Sequence, residues 1–371
     1  MTKKKACIIT IYDENNLGNR LQNFAVQEIL RNMSIDVITL KNDFRDYVPD
    51  SVFIRLKRRL LNIIHSRETN IVKNKMDCPQ KELVKLRQKK FKEFNNNYIF
   101  TTDWLNNNEK LPNEFINQFD YFITGSDQVW NPYFDTTSAL TFLDFPFRGK
   151  KIAFSASFGV SDIPKKRLTQ YKNWINGIDS ISVREQAGKD IVNKITRRQV
   201  TLLADPTMLL DHEKWLTIEK KPEWFESKDY LLTYFLGNSV NNIEYVKKIA
   251  KQYNLNVISV YDIHDANGYI VDPSEFIYLI RHAKLMITDS FHGTVFSILM
   301  KTPFIVMNRE DDSISMNSRI DSLLQLTGYT SRYYPNLDQK NIFNIDFNNI
   351  DNILAIERKR GYDFLKNSFQ I

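Results

Sequence analysis

Residues 284–309, KLMITDSFHGTVFSILMKTPFIVMNR, leave this chain the fewest folding options. The apolar run at 285–288 has the length of a buried strand, and Asp289 and Ser290 are residue types that cap a helix start. From Thr294 to Met300 the chain continues as a buried helix. Pro303 lacks the amide that another helical turn needs, so the helix stops there and residues 304–307 return as a second strand. Ser290, Phe291, His292, Gly293 and Thr294 then fall where the carboxyl end of a strand meets a helix N-terminus, the usual ligand crevice of open α/β sheets. Free backbone N–H groups and the helix dipole favour an anion there, and the dipole biases His292 toward its neutral form. A hydrogen-bonded capping histidine beside a packing glycine is the purely structural alternative.

The same pattern recurs on either side. Residues 6–11 read as a first strand, 13–19 (DENNLGN) as a polar turn containing Gly18, 20–31 as a helix and 35–40 as the next strand. The glycines do not form GxGxxG, so a dinucleotide site is not indicated. Residues 119–124 form a strand leading into GSDQVWNP, a polar cluster read as a crevice-facing loop; a structural turn with Asp127 as cap and Trp130 as filler is its alternative. Strands at 151–155, 178–183 and 200–204 follow. Arg184 after the second of these suits a carboxylate or phosphate, unless it merely pairs with Glu185 at the surface. A polar interval near 220–229 marks a domain boundary. Beyond it come strand 230–236, helix 242–252, strand 256–261, helix 274–283, the central unit and helix 319–326. Residues 350–369 close the chain as a helix whose apolar positions need a core to cover.

Two α/β halves in one chain predict two Rossmann-like domains facing a central cleft, residues 1–220 and 228–340, with 341–371 as a C-terminal helical segment. A basic helical insert occupies about 52–94. In its first part, 52–67, Phe53, Leu56, Leu60, Ile63 and Ile64 share a face rimmed by Arg55, Lys57, Arg58, Arg59 and Arg67. Such a helix either lies on an anionic membrane surface or packs on the domain with a solvated basic rim. In its second part Leu83, Leu86 and Phe94 are expected inward.

A length of 371 residues, with 42% hydrophobic and 13% aromatic content, suits a globular protein with two cores and argues against disorder. The net charge of +7 suits anionic substrates or surfaces, but its cations are interspersed with 44 acids and no nucleic-acid motif accompanies them, so nucleic acid is not an expected partner. Cys7 and Cys78 lack metal or redox spacing, which favours a reducing compartment. Residues 6–11 are too short for a secretory leader and no run is long enough to span a bilayer. His65, His212, His264, His282 and His292 are scattered without ligand spacing, so no metal is expected; His264 and Asp265 are candidates for the cleft edge.

GNRLQNFAVQEIL at 18–30, GSDQVWNP at 125–132, ASFGV at 156–160, ISVRE at 181–185, ADPTMLL at 204–210 and TDSFHGTVFSILMKTPFIV at 288–306 together resemble the polysaccharide pyruvyl transferase family, in its order and across nearly the whole chain. The resemblance implies a fold similar to GT-B glycosyltransferases. It also implies transfer of a pyruvyl group from phosphoenolpyruvate to sugar hydroxyls, as a ketal on a surface or capsular polysaccharide or its precursor. The histidine of the SFHG or S-x-R-L-H segment is regarded as catalytic in that family and carries over to His292. Ser290 stands where the S-x-R-L-H variant has arginine, and Arg184 in SVRE is the remaining match to a donor-binding arginine.

That chemistry needs an acid for the donor's methylene carbon and a base for the attacking hydroxyl. His292 is assigned the acid role as imidazolium beside the donor's charges, Asp289 or Asp127 the base, and Ser290, Gly293 and Thr294 the phosphate. Gly125, Ser126, Gln128, Trp130, Asn19 and Gln22 are expected on the acceptor side of the cleft. No cofactor is implied beyond phosphoenolpyruvate as co-substrate. The other partner is a sugar or lipid-linked oligosaccharide, and the expected location is cytoplasmic, at the inner membrane face if residues 52–67 bind lipid. Two alternatives share the architecture: a GT-B-type glycosyltransferase using a nucleotide-sugar donor, and a non-catalytic glycan- or lipid-carrier-binding protein.

Overall fold

A computed structural model describes residues 3–42, 78–106, 110–226, 228–237, 240–309 and 318–370. The basic segment at 52–67 lies outside them. The first half carries seven parallel strands: β1 (Lys5–Ile9), β2 (Asp36–Asn42), β3 (Thr101–Asn106), β4 (Tyr121–Thr124), β5 (Lys150–Ala156), β6 (Ser180–Val183) and β7 (Thr201–Leu202). Their order is β3-β2-β1-β4-β5-β6-β7. The chain starts in the middle of the sheet, winds outward through β2 and β3, then returns to β4 and winds the other way. The reversal between β1 and β4 is where a parallel sheet opens a crevice at its carboxyl edge.

The second half has four parallel strands, β8 (Tyr230–Tyr234), β9 (Asn256–Val260), β10 (Leu285–Thr288) and β11 (Phe304–Val306), in the order β11-β10-β8-β9. Its reversal lies between β8 and β10. Both central strands, β8 and β10, are buried along their whole length, as sheets covered on both faces require. Phe291–Leu299 is buried on every side, and the hydroxyls of Thr294 and Ser297 are satisfied by backbone carbonyls one turn earlier.

One hydrophobic core runs through both halves. Trp215 joins them, with its ring centroid 5.5 Å from Phe24 on the Leu17–Asn32 helix and 4.8 Å from Phe296 on the Phe291–Leu299 helix. The Cys78–Tyr98 helix adds a polar brace: Lys90 pairs with Glu275 at 2.5 Å, and Arg87 donates to Asn15 O at 2.9 Å and to Tyr269 O. Leu86 of that helix is 41% exposed, contrary to the inward placement expected for it, because the buried stripe runs through Arg87, Phe91 and Phe94 instead. The closing helix, Ile350–Phe369, covers the first sheet rather than the second. Phe369 packs on Tyr121 at 4.4 Å, and Glu357 accepts from the amide of Ala204 at 3.3 Å. Among the described residues no helix is long and apolar enough to cross a membrane.

Candidate active site

Two helix N-termini meet across the crevice between the sheets. The first helix begins at Leu17, so Gly18 and Asn19 belong to its first turn rather than to a preceding loop. Asn16 is the cap: its side chain accepts from the Asn19 amide at 3.0 Å, and its carbonyl accepts from the Arg20 amide at 3.1 Å. Opposite, Ser290 caps Phe291–Leu299 by accepting from the Gly293 amide at 3.3 Å, while Thr294 donates amide and hydroxyl to the Ser290 carbonyl. These bonds leave the amides of Leu17, Gly18, Phe291 and His292 as the ones without an intrahelical partner. The two starts are so close that a Cβ built on Gly18 would fall 2.1 Å from His292 Nδ1.

Behind His292 lies a buried polar cluster from the carboxyl edge of the first sheet. Arg184, following β6, donates to Asp205 at 2.5 Å and stands 3.9 Å from both Asp127 and Glu185. Ser126 Oγ also donates to Asp205, at 2.9 Å, and Asp205 Oδ1 accepts from the amide and hydroxyl of Thr207 at 3.0 and 2.7 Å. His292 Nε2 stops 4.0 Å short of Asp205 and has no hydrogen-bond partner. Glu185 Oε1 is engaged by Ser157 Oγ and the amides of Phe158 and Gly159. The surface-pair alternative for Arg184 and Glu185 therefore gives way to a buried network, in which both side chains are shut off from solvent.

Charge follows from this geometry. Burial pushes the His292 pKa down to about 4; Asp205 pulls upward, Arg184 downward, Asp127 upward and Arg319 downward. The neutrality expected of His292 holds, with burial rather than the helix dipole as its main cause. Burial works against ionisation of Asp205, yet Arg184, His292 and the Thr207 hydrogen bonds outweigh it and hold the carboxyl at about 2. Asp127 is likewise held below its usual range: burial is outweighed by Arg184, His292, Asn19 Nδ2 at 2.8 Å and the Gln128 amide.

The cleft in front of this cluster has a volume of about 470 Å³, within the range of small-ligand sites. Asn19, Asp127, Gln128, Asp289, Ser290 and His292 line it, together with Arg309, Arg319, Phe291, Tyr234, Tyr261, Asp13 and Asn16. Other expected site residues sit behind the wall. Gln22 is buried, donating to Thr10 Oγ1 at 3.1 Å and accepting from the Ser126 amide at 3.2 Å. Gly125 turns the chain at φ +116° with its α-carbon against the Phe154 carbonyl. Trp130 is a core residue, stacked on Phe142 at 4.9 Å with its indole N–H given to the Thr141 carbonyl, so its cleft placement is corrected to the filler alternative. Gly293 and Thr294 serve the cap, and Arg184 faces its carboxylates rather than the cavity. Asp289 spends its oxygens on the amides of Leu236 and Gly237, at 2.7 and 2.9 Å. His264 is exposed and, with Asp265, lines a separate shallow depression beside Ser259 and Asp262 rather than the cleft itself.

Asp205, Arg309, Arg319, Tyr234 and Tyr261 were not among the expected site residues, whereas Phe291 was placed at the crevice with Ser290 and His292. Asp205 had a usable signal, since Asp-Pro directly after a strand sits at the same sheet edge as Ser126 and Arg184. A family model described as polysaccharide pyruvyl transferase matches residues 16–311, from the cap of the first helix to just beyond Arg309.

The chain belongs to the polysaccharide pyruvyl transferase family.

The transferase family match thus takes in both helix starts and every cleft residue named above except Asp13 and Arg319. Among solved structures, the putative UDP-N-acetylglucosamine 2-epimerase from Listeria monocytogenes is 11% identical, covers 100% of this chain and 97% of that one, and superposes with a TM-score of 0.50. The UDP-GlcNAc 2-epimerase from Methanocaldococcus jannaschii in complex with UDP-GlcNAc and UDP is 12% identical over 95% of this chain and 99% of that one, with a TM-score of 0.45. The glycosyltransferase SnogD from Streptomyces nogalater is 10% identical over 98% and 95%, with a TM-score of 0.35. The likeness to the Listeria protein is one of fold: this pyruvyl transferase family member has the two Rossmann-like domains of the GT-B architecture. No curated protein matches it in sequence.

Proposed function

We propose that this chain transfers a pyruvyl group from phosphoenolpyruvate to sugar hydroxyls, forming a pyruvate ketal on a surface or capsular polysaccharide or its precursor. The observation that carries the reading is the meeting of two helix starts over one buried histidine whose Nε2 has no hydrogen-bond partner, in a cleft lined by Arg309 and Arg319. A small ligand rich in negative charge suits that lining. Phosphoenolpyruvate carries a phosphate and a carboxylate on three carbons.

The reaction joins two hydroxyl oxygens to the donor's central carbon and breaks its bond to the phosphate ester oxygen. Of the two hydroxyl protons, one ends on the methylene carbon, which becomes a methyl, and the other leaves with inorganic phosphate. His292 enters neutral. The donor's negative charges raise its proton affinity, so that it carries a proton to the methylene as imidazolium. Asp127 and Asp289 are the candidate bases. Asp289 is committed to two amides, whereas Asp127 keeps an edge on the cleft beside Asn19. Held at a low pKa, Asp127 takes a hydroxyl proton only once the new bond to carbon has largely formed, as attack on an electron-poor centre allows. Tyr261, exposed at the cleft, offers a flat apolar face for a sugar ring, with Asp13 and Asn16 available to its hydroxyls. The acceptor, soluble or lipid-linked, would be met in the cytoplasm, where the donor is made, and at the membrane face if residues 52–67 bind lipid.

Calorimetric titration of phosphoenolpyruvate against a panel of nucleotide sugars tests the reading. Saturable binding of phosphoenolpyruvate alone is expected. Tight binding of a nucleotide sugar with none for phosphoenolpyruvate would replace it with glycosyl transfer.

A further inference from the structure

We propose that Arg319, rather than Arg184, is the guanidinium that holds the donor's negative charge; the inference rests on phosphoenolpyruvate being the donor. Arg184 is already neutralised, with Asp205 at 2.5 Å and Asp127 and Glu185 both at 3.9 Å. It is also absent from the cavity wall. A guanidinium enclosed by three carboxylates has little field left for a ligand and serves to orient the acids around His292.

Arg319 has the opposite surroundings. It stands in the first turn of the Ser318–Thr327 helix, is only 8% exposed, and lines the cleft beside Ser290, His292 and Arg309. Among the described residues no carboxylate comes within ion-pair distance of it and its Nε has no hydrogen-bond partner. Its neighbour is the Phe291 ring, with the guanidinium carbon 5.7 Å from the centroid; Arg184 lies 4.6 Å from the same ring. Two guanidinium groups thus share one aromatic ring, and among the described residues only Arg184 has carboxylates within ion-pair distance. Burial, followed by repulsion from Arg184, lowers the Arg319 pKa to about 10 against the weaker attraction of Glu185 and Asp127, so it is still protonated at neutral pH. A buried cation without a counterion is costly, and a chain keeps one where a ligand completes the pair. The fork of an arginine matches either the carboxylate or the phosphate of the donor.

Titration calorimetry with phosphoenolpyruvate, run beside thermal melts on wild type, Arg319→Gln, Arg319→Lys and Arg184→Gln, tests this. Arg319→Gln is expected to weaken binding at least about tenfold, the effect of losing one charge-assisted hydrogen bond. Its Tm should stay the same or rise, because a repelled buried cation has been removed. Arg319→Lys should fall between, keeping the charge without the fork. Arg184→Gln should lower Tm by stranding Asp205. Wild-type affinity in Arg319→Gln, while wild type itself binds phosphoenolpyruvate, overturns the inference alone. A Tm loss in both Arg319 variants as large as that in Arg184→Gln also overturns it, by making the role structural. Failure of wild type to bind phosphoenolpyruvate removes the donor reading and the inference together.

Discussion

Gly18 shows how closely the site depends on single atoms. A methyl group there would collide with the His292 imidazole at 2.1 Å, so one of the two helix starts must retreat. Gly18→Ala is expected to fold with a stability loss of about 1–3 kcal/mol from overpacking, and to lose most of its transfer rate because His292 moves. Rate and Tm measured on one preparation separate these two effects. His292 also predicts a pH dependence of stability. Unfolded, the imidazole takes a proton near pH 6.5; folded, it does so only at about 4. Between those values the unfolded chain binds more protons, so the contribution is complete above 6.5 and is lost as pH falls toward 4, amounting to a few kcal/mol at most. Asp205 gives a separate window, present above 3.8 and lost as pH falls toward 2. Urea melts across pH 7 to 4 should show stability declining in wild type and a flatter profile in His292→Asn. His292 itself was legible in the sequence because a strand end and a helix cap enclosed it. Arg319 was not, because nothing local distinguishes a buried cation facing a cleft from one on a helix surface.

At the scale of elements, the helices flanking the site are set by the hydrophobic core. Trp215 touches both, through Phe24 and Phe296, and donates its indole N–H to the Thr207 carbonyl at 3.2 Å. Trp215→Ala should cost about 3–5 kcal/mol in denaturant unfolding and reduce transfer more than that loss explains, since Gly18 and His292 lose their common spacer. A Trp215→Ala enzyme of reduced stability but full rate at low temperature would show that the spacing is set elsewhere. The strands and long helices were readable from the sequence because burial imposes its period on them. Leu285–Thr288 and Ile350–Phe369 fall where the apolar pattern puts them. The first helix starts earlier than its pattern because Asn16 caps it, which makes a polar stretch resembling a loop into a helical turn. Trp130 misled for a related reason: a polar neighbourhood in sequence says nothing of which way an aromatic ring points.

For the whole molecule, the fold follows from two parallel sheets whose reversals face each other, and the site from what each contributes to the gap. The first sheet supplies Asp127, Arg184 and Asp205; the second supplies Ser290 and His292, with Arg309 and Arg319 following it in the chain. The chain leaves the first sheet after β7 and enters the second at β8, with the polar interval lying between them. The covering of the first sheet by the last helix was not legible in the sequence, because an amphipathic helix carries no mark of which core it joins. The most direct measurement is of product. The protein is incubated with phosphoenolpyruvate and a panel of soluble and lipid-linked oligosaccharides, with phosphate release and acceptor mass followed together. Pyruvyl transfer predicts an acceptor carrying a carboxyethylidene group, with one phosphate released for each ketal and both signals lost in His292→Asn. A hexosyl gain from an added nucleotide sugar, with phosphoenolpyruvate left intact, would contradict it.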